Sequence, residues 1–150
     1  MPKTFKLMLA TPEGWAARDD AESLTVPGVD GYLGILANHA PLMTAVGIGC
    51  LTYRDSAGYD HIFAVTDGFL EVSKNVVTII ADTAELAENI DIGRAKSALE
   101  RAKQRLEEAS TNPDIDVERA RAAYRRALNR IKIAEISPQH PAPTVCATPD

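Results

Sequence analysis

A chain of 150 residues holds one ordinary domain, or a smaller domain with an appendage, and 45% hydrophobic with 25% charged residues is a globular balance that excludes wholesale disorder. No apolar run is long enough to span a bilayer and the N-terminal apolar run is too short for a signal sequence, so any membrane association is expected to go through a partner. The net charge of −5 is unevenly divided: five basic against twelve acidic residues up to Ile90 give −7, whereas eleven basic against eight acidic from Asp91 to Ile136 give +3.

In chain order, Phe5, Leu7 and Leu9 alternate with other residues and predict a first strand, ended by Thr11-Pro12-Glu13-Gly14. Ser23 to Val26 predicts another. Val26 to Leu42 carries three glycines and two prolines and reads as a turn-rich excursion, the kind of loop on which a rigid β scaffold makes contacts. Strand signals are then dense at Cys50 to Arg54, His61 to Val65, Phe69 to Ser73 and Val76 to Ala81. Between them, Asp67-Gly68 and Lys74-Asn75 read as two-residue hairpin turns, which favours antiparallel neighbours in a sandwich or barrel.

The stretch Ile90-Asp91-Ile92-Gly93-Arg94-Ala95 is a seam, because strand-like alternation stops before it and helical spacing begins after it. Asp91 predicts a helix cap. Ile92, Ala95, Leu99, Ala102 and Leu106 give the first helix one apolar face, and Pro113 ends it. Asp116 caps a second helix, in which Val117, Ala120, Tyr124, Ala127, Ile131 and Ala134 keep a heptad seam. Alanines dominate that seam, so the two-helix contact buries little area and is expected to open readily. Ser137 to Asp150, with four prolines, reads as a disordered tail.

Candidate chemistry is sparse. His39, His61 and His140 have no metal-ligand spacing, and no nucleophile-elbow, phosphate-loop or metalloprotease motif occurs. Cys50 and Cys146 form no metal or redox spacing and are read as reduced. An acidic β part and 5% aromatics argue against nucleic acid as a partner. The arginines are the better lead: Arg94 and Arg101 share one helix face, and Arg126 and Arg130 share another. Four guanidinium forks suit a triphosphate, and the same residues suit a solvated face paired with Glu100, Glu107 and Glu118.

Taken together, Val26-Pro-Gly, Leu33-Gly-Ile, His39-Ala-Pro-Leu42, Gly68-Phe-Leu-Glu-Val72, Asn75-Val-Val-Thr-Ile79, Ala81-Asp-Thr-Ala-Glu85, the seam and Arg126-Ala-Leu-Asn-Arg130 resemble the epsilon subunit of F-type ATP synthases, from about Phe5 to Ile136. Two positions depart from the family pattern: Asp67 stands where members commonly carry a second glycine, and Tyr32 where some carry an acid.

The resemblance implies a ten-stranded antiparallel β-sandwich over residues 1–89 and an antiparallel two-helix hairpin over 90–136, with 137–150 as the tail. It implies a non-catalytic rotor subunit, peripheral on the cytoplasmic face of the bacterial inner membrane. Its expected partners are the gamma subunit, the c-ring (through Asp30, Gly31, Tyr32 and nearby His39) and the alpha-beta hexamer, reached by an extended hairpin through Arg119, Arg121, Arg125 and Arg126. No cofactor is required. In some members the folded hairpin binds ATP as a regulatory ligand, and the matching positions are Glu85, Ile90, Asp91, Arg94, Ala95, Arg101, Arg126 and Arg130. The alternative is a free-standing nucleotide-sensing module with the sandwich as its platform.

Overall fold

The structure, a computed structural model, describes residues 3–136; the predicted tail, with His140 and Cys146, lies outside the described residues. Seven strands come first: β1 (Phe5–Thr11), β2 (Gly14–Gly28), β3 (Gly31–Leu36), β4 (Leu42–Val46), β5 (Gly49–Asp55), β6 (Asp60–Ser73) and β7 (Val76–Leu86). One 3-10 turn at Ala87–Asn89 leads into α1 (Ile92–Glu108) and α2 (Val117–Ala134). A β-sandwich followed by a helical hairpin is therefore the architecture.

The strand count differs from ten because three long strands each serve two sets of partners. The first half of β2 pairs with β1, and its second half pairs with β3 and β5. Likewise β6 pairs with β5 over Asp60 to Val65 and with β4 over Gly68 to Val72. Along its length β7 pairs with β6, and its first half also pairs with β1. That last pairing is parallel, which corrects the all-antiparallel expectation. The long intervening chain supplies the crossover a parallel pair requires.

Two predicted turns fare differently. Lys74 and Asn75 have φ of 51° and 62°, the left-handed pair that joins β6 to β7 tightly. Asp67-Gly68 is no turn: β6 runs straight through it, with Thr66 opposite Thr83 and Gly68 opposite Ala81 in one register. The glycine is needed for close approach. A Cβ there would run into the Ile80 carbonyl oxygen and lie 2.8 Å from Ala81 Cα. The expected excursion between Val26 and Leu42 is also more regular than its glycines suggest, since Pro27 and Gly28 end β2 and Gly31–Leu36 form β3.

Alternation places Phe5, Leu7 and Leu9 in the sandwich core with Leu70, Val72, Val77 and Ile79. On β5 and the first half of β6 it fails: Cys50 to Tyr53 and Ile62 to Thr66 are all buried. Both faces of this ribbon are covered. Leu51, Phe63 and Val65 face the core, whereas Cys50, Ile62 and Ala64 join Ala87, Ile90 and Ile133 in a second cluster beneath the end of α2. Cys50 is disulfide-bonded, which corrects the reading of a reduced thiol at that position.

Both helices start where their caps predict. Asp91 Oδ1 accepts the Arg94 N–H at 3.1 Å, and Asp116 Oδ1 accepts the Arg119 N–H at 3.2 Å. The α1–α2 contact buries Ala95 and Ala102 on one side and Ala120 and Ala127 on the other, the small-residue interface expected from the heptads. Docking onto the sandwich uses a different face of α2. Ile133, outside the predicted seam, is 2% exposed and packs on the second cluster, while Asn129 Nδ2 donates to the Gly49 carbonyl at 3.0 Å.

Because the Gly68 site has no room for a methyl group, Gly68→Ala should destabilise the sandwich by about 1–3 kcal/mol, the usual cost of overpacking. Urea denaturation measures it, and an unchanged midpoint would contradict the close approach.

Candidate functional site

Residues of the sandwich and of both helices meet in one cleft of about 390 Å3. Its floor is the outer face of the β6–β7 ribbon, where cross-strand pairing sets Ala64 beside Glu85 and Thr66 beside Thr83. Arg101 and Arg105 of α1 and Arg126 and Arg130 of α2 line it as well, two pairs with the spacing of one helical turn. A second, more open lobe of about 740 Å3 continues from it, lined by Asp91, Arg94, Ser97, Arg101 and Arg130 among others. Arg101 and Arg130 border both lobes.

One arginine is already engaged. Arg130 grips Glu85 as a two-pronged fork, Nε to Oε2 at 2.9 Å and Nη2 to Oε1 at 3.2 Å, which ties α2 to β7. Both side chains are about one-third exposed, 30% and 32%, so the pair's contribution is moderated by solvent. Arg94, Arg101, Arg105 and Arg126 form no ion pair among the described residues. Of the acids offered as helix-surface partners, only Glu118 is used, 3.7 Å from Arg121. Unpaired guanidinium groups converging on a concave surface present planar N–H donors with no acceptor of their own, which is a site for a multivalent anion.

The structure brings Glu85, Asp91, Arg94, Arg101, Arg126 and Arg130 to the two lobes. It does not bring Ile90 or Ala95 there: Ile90 belongs to the docking cluster, and Ala95 is wholly buried in the helix contact. Neither side chain lines either lobe. Arg105, Asn129, Thr66 and Thr83 line the first lobe without having been singled out. Arg105 was findable as the residue one turn beyond Arg101, whereas the threonines acquire meaning only from the β6–β7 register.

The partner-contact residues separate into distinct places. Asp30 and Gly31 lie at the β2–β3 turn, but His39 follows the far end of β3, a strand about 17 Å long, so His39 is not their neighbour. Its Nδ1 lies 2.8 Å from the Ala40 carbonyl. Tyr32 is half-buried, and its hydroxyl accepts the Cys50 N–H at 3.2 Å. On α2, Arg119, Arg121 and Arg125 are exposed, while Arg126 lines the cleft.

A separate polar cluster bridges β2 and the β5–β6 hairpin. Asp19, Asp55 and His61 place ligand-type atoms within 4.8 Å of one another. Local bonds already engage them: Asp55 Oδ1 accepts the Ala57 and Tyr59 N–H groups, its Oδ2 meets His61 Nε2 at 2.8 Å, and Asp19 Oδ2 accepts from the Tyr53 hydroxyl at 3.4 Å. The His61 ring stacks on Tyr53 with centroids 4.5 Å apart. The hydrogen bond from His61 holds the Asp55 carboxyl below its usual range, and burial, aided by Asp19, pushes the Tyr53 phenol up. The cluster is a clasp for the β5–β6 turn.

Comparison with known proteins agrees with the architecture. The model described as "ATP synthase, Delta/Epsilon chain, beta-sandwich domain" matches residues 4–87, and the one described as "ATP synthase, Delta/Epsilon chain, long alpha-helix domain" matches residues 88–135. The chain belongs to the ATP synthase delta/epsilon family. Among its relatives, the ATP synthase epsilon chain of Syntrophomonas wolfei is 47% identical over 104 residues, covering 69% of this chain and 76% of that one. The epsilon chain of Symbiobacterium thermophilum is 48% identical over 111 residues, covering 73% and 79%. A chain in the Euglena gracilis mitochondrial ATP synthase, in a structure of OSCP, F1 and c-ring, shares the fold with a TM-score of 0.74 at 21% identity, covering 86% of this chain and 80% of that one. As an epsilon-type chain, the protein is a non-catalytic subunit of the complex. No helix among the described residues is long and apolar enough to cross a membrane.

The Asp55 clasp makes a pH prediction. A carboxyl held below its unfolded pKa of about 3.9 adds stability that is fully present above that value and lost as pH falls through the lower folded pKa. In urea melts from pH 6 down to about pH 2, wild type should be more stable than Asp55→Asn at the upper end, with the gap closing below about pH 4. A gap that stayed constant would contradict the linkage.

Proposed function

We propose that the protein is a rotor subunit in the central stalk, joining the gamma subunit to the c-ring and restraining ATP hydrolysis through its helical hairpin. What carries the reading, beyond family membership, is an unpartnered apolar row on the sandwich. Ala45, Phe69, Ile80, Ala10 and Trp15 lie opposite one another in register across β4, β6, β7, β1 and β2. Phe69 is 66% exposed, Ile80 59% and Trp15 54%, with Met43 72% exposed on the same face of β4. A contiguous apolar band of this kind marks a protein interface. The gamma subunit is the partner proposed for it, and the β2–β3 turn at Asp30 and Gly31 is proposed to face the c-ring.

The hairpin is the proposed regulatory part. Docked, it keeps Arg126 inward; extended along gamma, it presents Arg126 with Arg119, Arg121 and Arg125 to an acidic segment of a catalytic beta subunit in the alpha-beta hexamer. ATP is the proposed regulatory ligand of the docked form, held by the cleft arginines and not required for folding. The complex would sit on the cytoplasmic face of the inner membrane, with this chain peripheral and coupled to ion transport only through the ring.

Phe69→Glu with Ile80→Glu should abolish stoichiometric co-purification with gamma, weakening association by about 30-fold or more while leaving circular dichroism unchanged. Undiminished association would remove this face from the proposal, and wild type that never co-purified with gamma would remove the rotor role. For the ligand, Arg126→Ala should weaken ATP binding by about tenfold or more in isothermal titration, the scale of a charge-assisted bond. Wild type with no measurable heat at millimolar ATP would remove the ATP reading.

A further inference from the structure

The cleft has two walls of different chemistry, and they belong to parts linked by the Ala87–Asn89 turn and brought face to face by docking. Three arginines without ion pairs among the described residues, Arg101, Arg105 and Arg126, stand on the hairpin. Opposite them, on the sandwich, are two hydroxyls. Thr66 and Thr83 form a cross-strand pair, their Oγ1 atoms are 2.8 Å apart, and both line the cleft. Thr66 is only 7% exposed.

A hydroxyl carries one O–H and two lone pairs. The bond between these two consumes one O–H and one lone pair, whichever threonine donates, so one O–H and further lone pairs remain for a ligand. The neighbouring Glu85 differs in kind: tied to Arg130 through both oxygens, its carboxylate keeps lone pairs but has no O–H to donate. The floor thus offers a neutral donor–acceptor pair to a hydroxyl-bearing group, and the hairpin offers cations to phosphates.

We propose that the Thr66–Thr83 pair binds the sugar hydroxyls of a ribonucleoside triphosphate whose phosphates are held by Arg101, Arg105 and Arg126, so that binding reports docking of the hairpin. The inference rests on the ATP reading above and adds the coupling element. A ligand shifts an equilibrium only by its differential affinity for the two states. Phosphates alone find all three arginines on α1 and α2, wherever the hairpin lies. A sugar bonded to β6 and β7 requires the hairpin to be docked, and it alone couples occupancy to conformation.

The test uses the full chain with distance labels on α2 and the sandwich, and three probes: ATP, 2′,3′-dideoxy-ATP and inorganic tripolyphosphate. Wild type should bind ATP about tenfold more tightly than the dideoxy analogue, the scale of a net hydrogen bond or two. ATP should raise the docked fraction, and tripolyphosphate should bind without raising it. Thr66→Val with Thr83→Val should bring ATP affinity down to the dideoxy level and leave tripolyphosphate affinity unchanged. Thr83→Val alone repeats the test at the exposed partner should the double variant unfold, and Thr83→Ser should restore the preference. Equal binding of ATP and dideoxy-ATP by wild type, a preference surviving in the valine variants, or docking driven equally by tripolyphosphate overturns this inference alone. No binding of ATP by wild type overturns the underlying ATP reading as well.

Discussion

Everything distinctive about this molecule depends on how the last turns of α2 are held against the β5–β6 ribbon. Ile133 supplies burial, worth about 1.5–3 kcal/mol for a side chain of its kind taken from water. Asn129 adds a bond to the Gly49 carbonyl, and Arg130 adds the fork to Glu85. These contacts come from positions close together on one helix, while α1 packs chiefly on α2. The cleft therefore exists only while a small group of residues stays seated. Remove that seating and the arginine wall and hydroxyl floor part company.

The same economy explains the charge asymmetry. An acidic sandwich and a basic hairpin attract each other broadly, but the one ion pair that joins the two parts among the described residues is Arg130 with Glu85. The remaining cleft arginines, Arg101, Arg105 and Arg126, are carried by the helices themselves, so their mutual repulsion is the same whether or not the hairpin is seated on the sandwich. Charge on the hairpin thus attracts an anion in either position, and a preference for the docked one has to come from groups on the sandwich.

How far these features could be read from residues depends on whether the cause was local. The seam was readable because a cap is local chemistry: Asp91 and Asp116 each bond an N–H three residues on. Lys74-Asn75 was readable for the same reason. Asp67-Gly68 misled because Asp-Gly is also turn chemistry, whereas here the glycine answers to the Ile80 carbonyl on another strand. The first half of β2, Gly14 to Ala21, gave no strand signal because much of it faces solvent beside β1. Ile133 was missed because α2 has two apolar faces, and the heptad count follows only the one turned to α1. The unbroken run Ile62-Phe63-Ala64-Val65 did carry the missing information, since a strand without alternation needs cover on both sides. Arg126 and Arg130 could be paired from spacing alone, but their opposition to Thr66 and Thr83 required the fold.

The alanine contact between the helices has a thermal consequence. Heat-capacity change scales with the apolar area exposed, at roughly 0.45 cal/K/mol per Å2, and the facing Ala95, Ala102, Ala120 and Ala127 have little to expose when the helices separate. An equilibrium with a small heat-capacity change has a nearly linear free energy in temperature, without the pronounced curvature that leucine-packed interfaces show. The balance between closed and open helices then shifts with temperature along one steady slope, with no interior maximum of stability and no weakening of the contact peculiar to the cold.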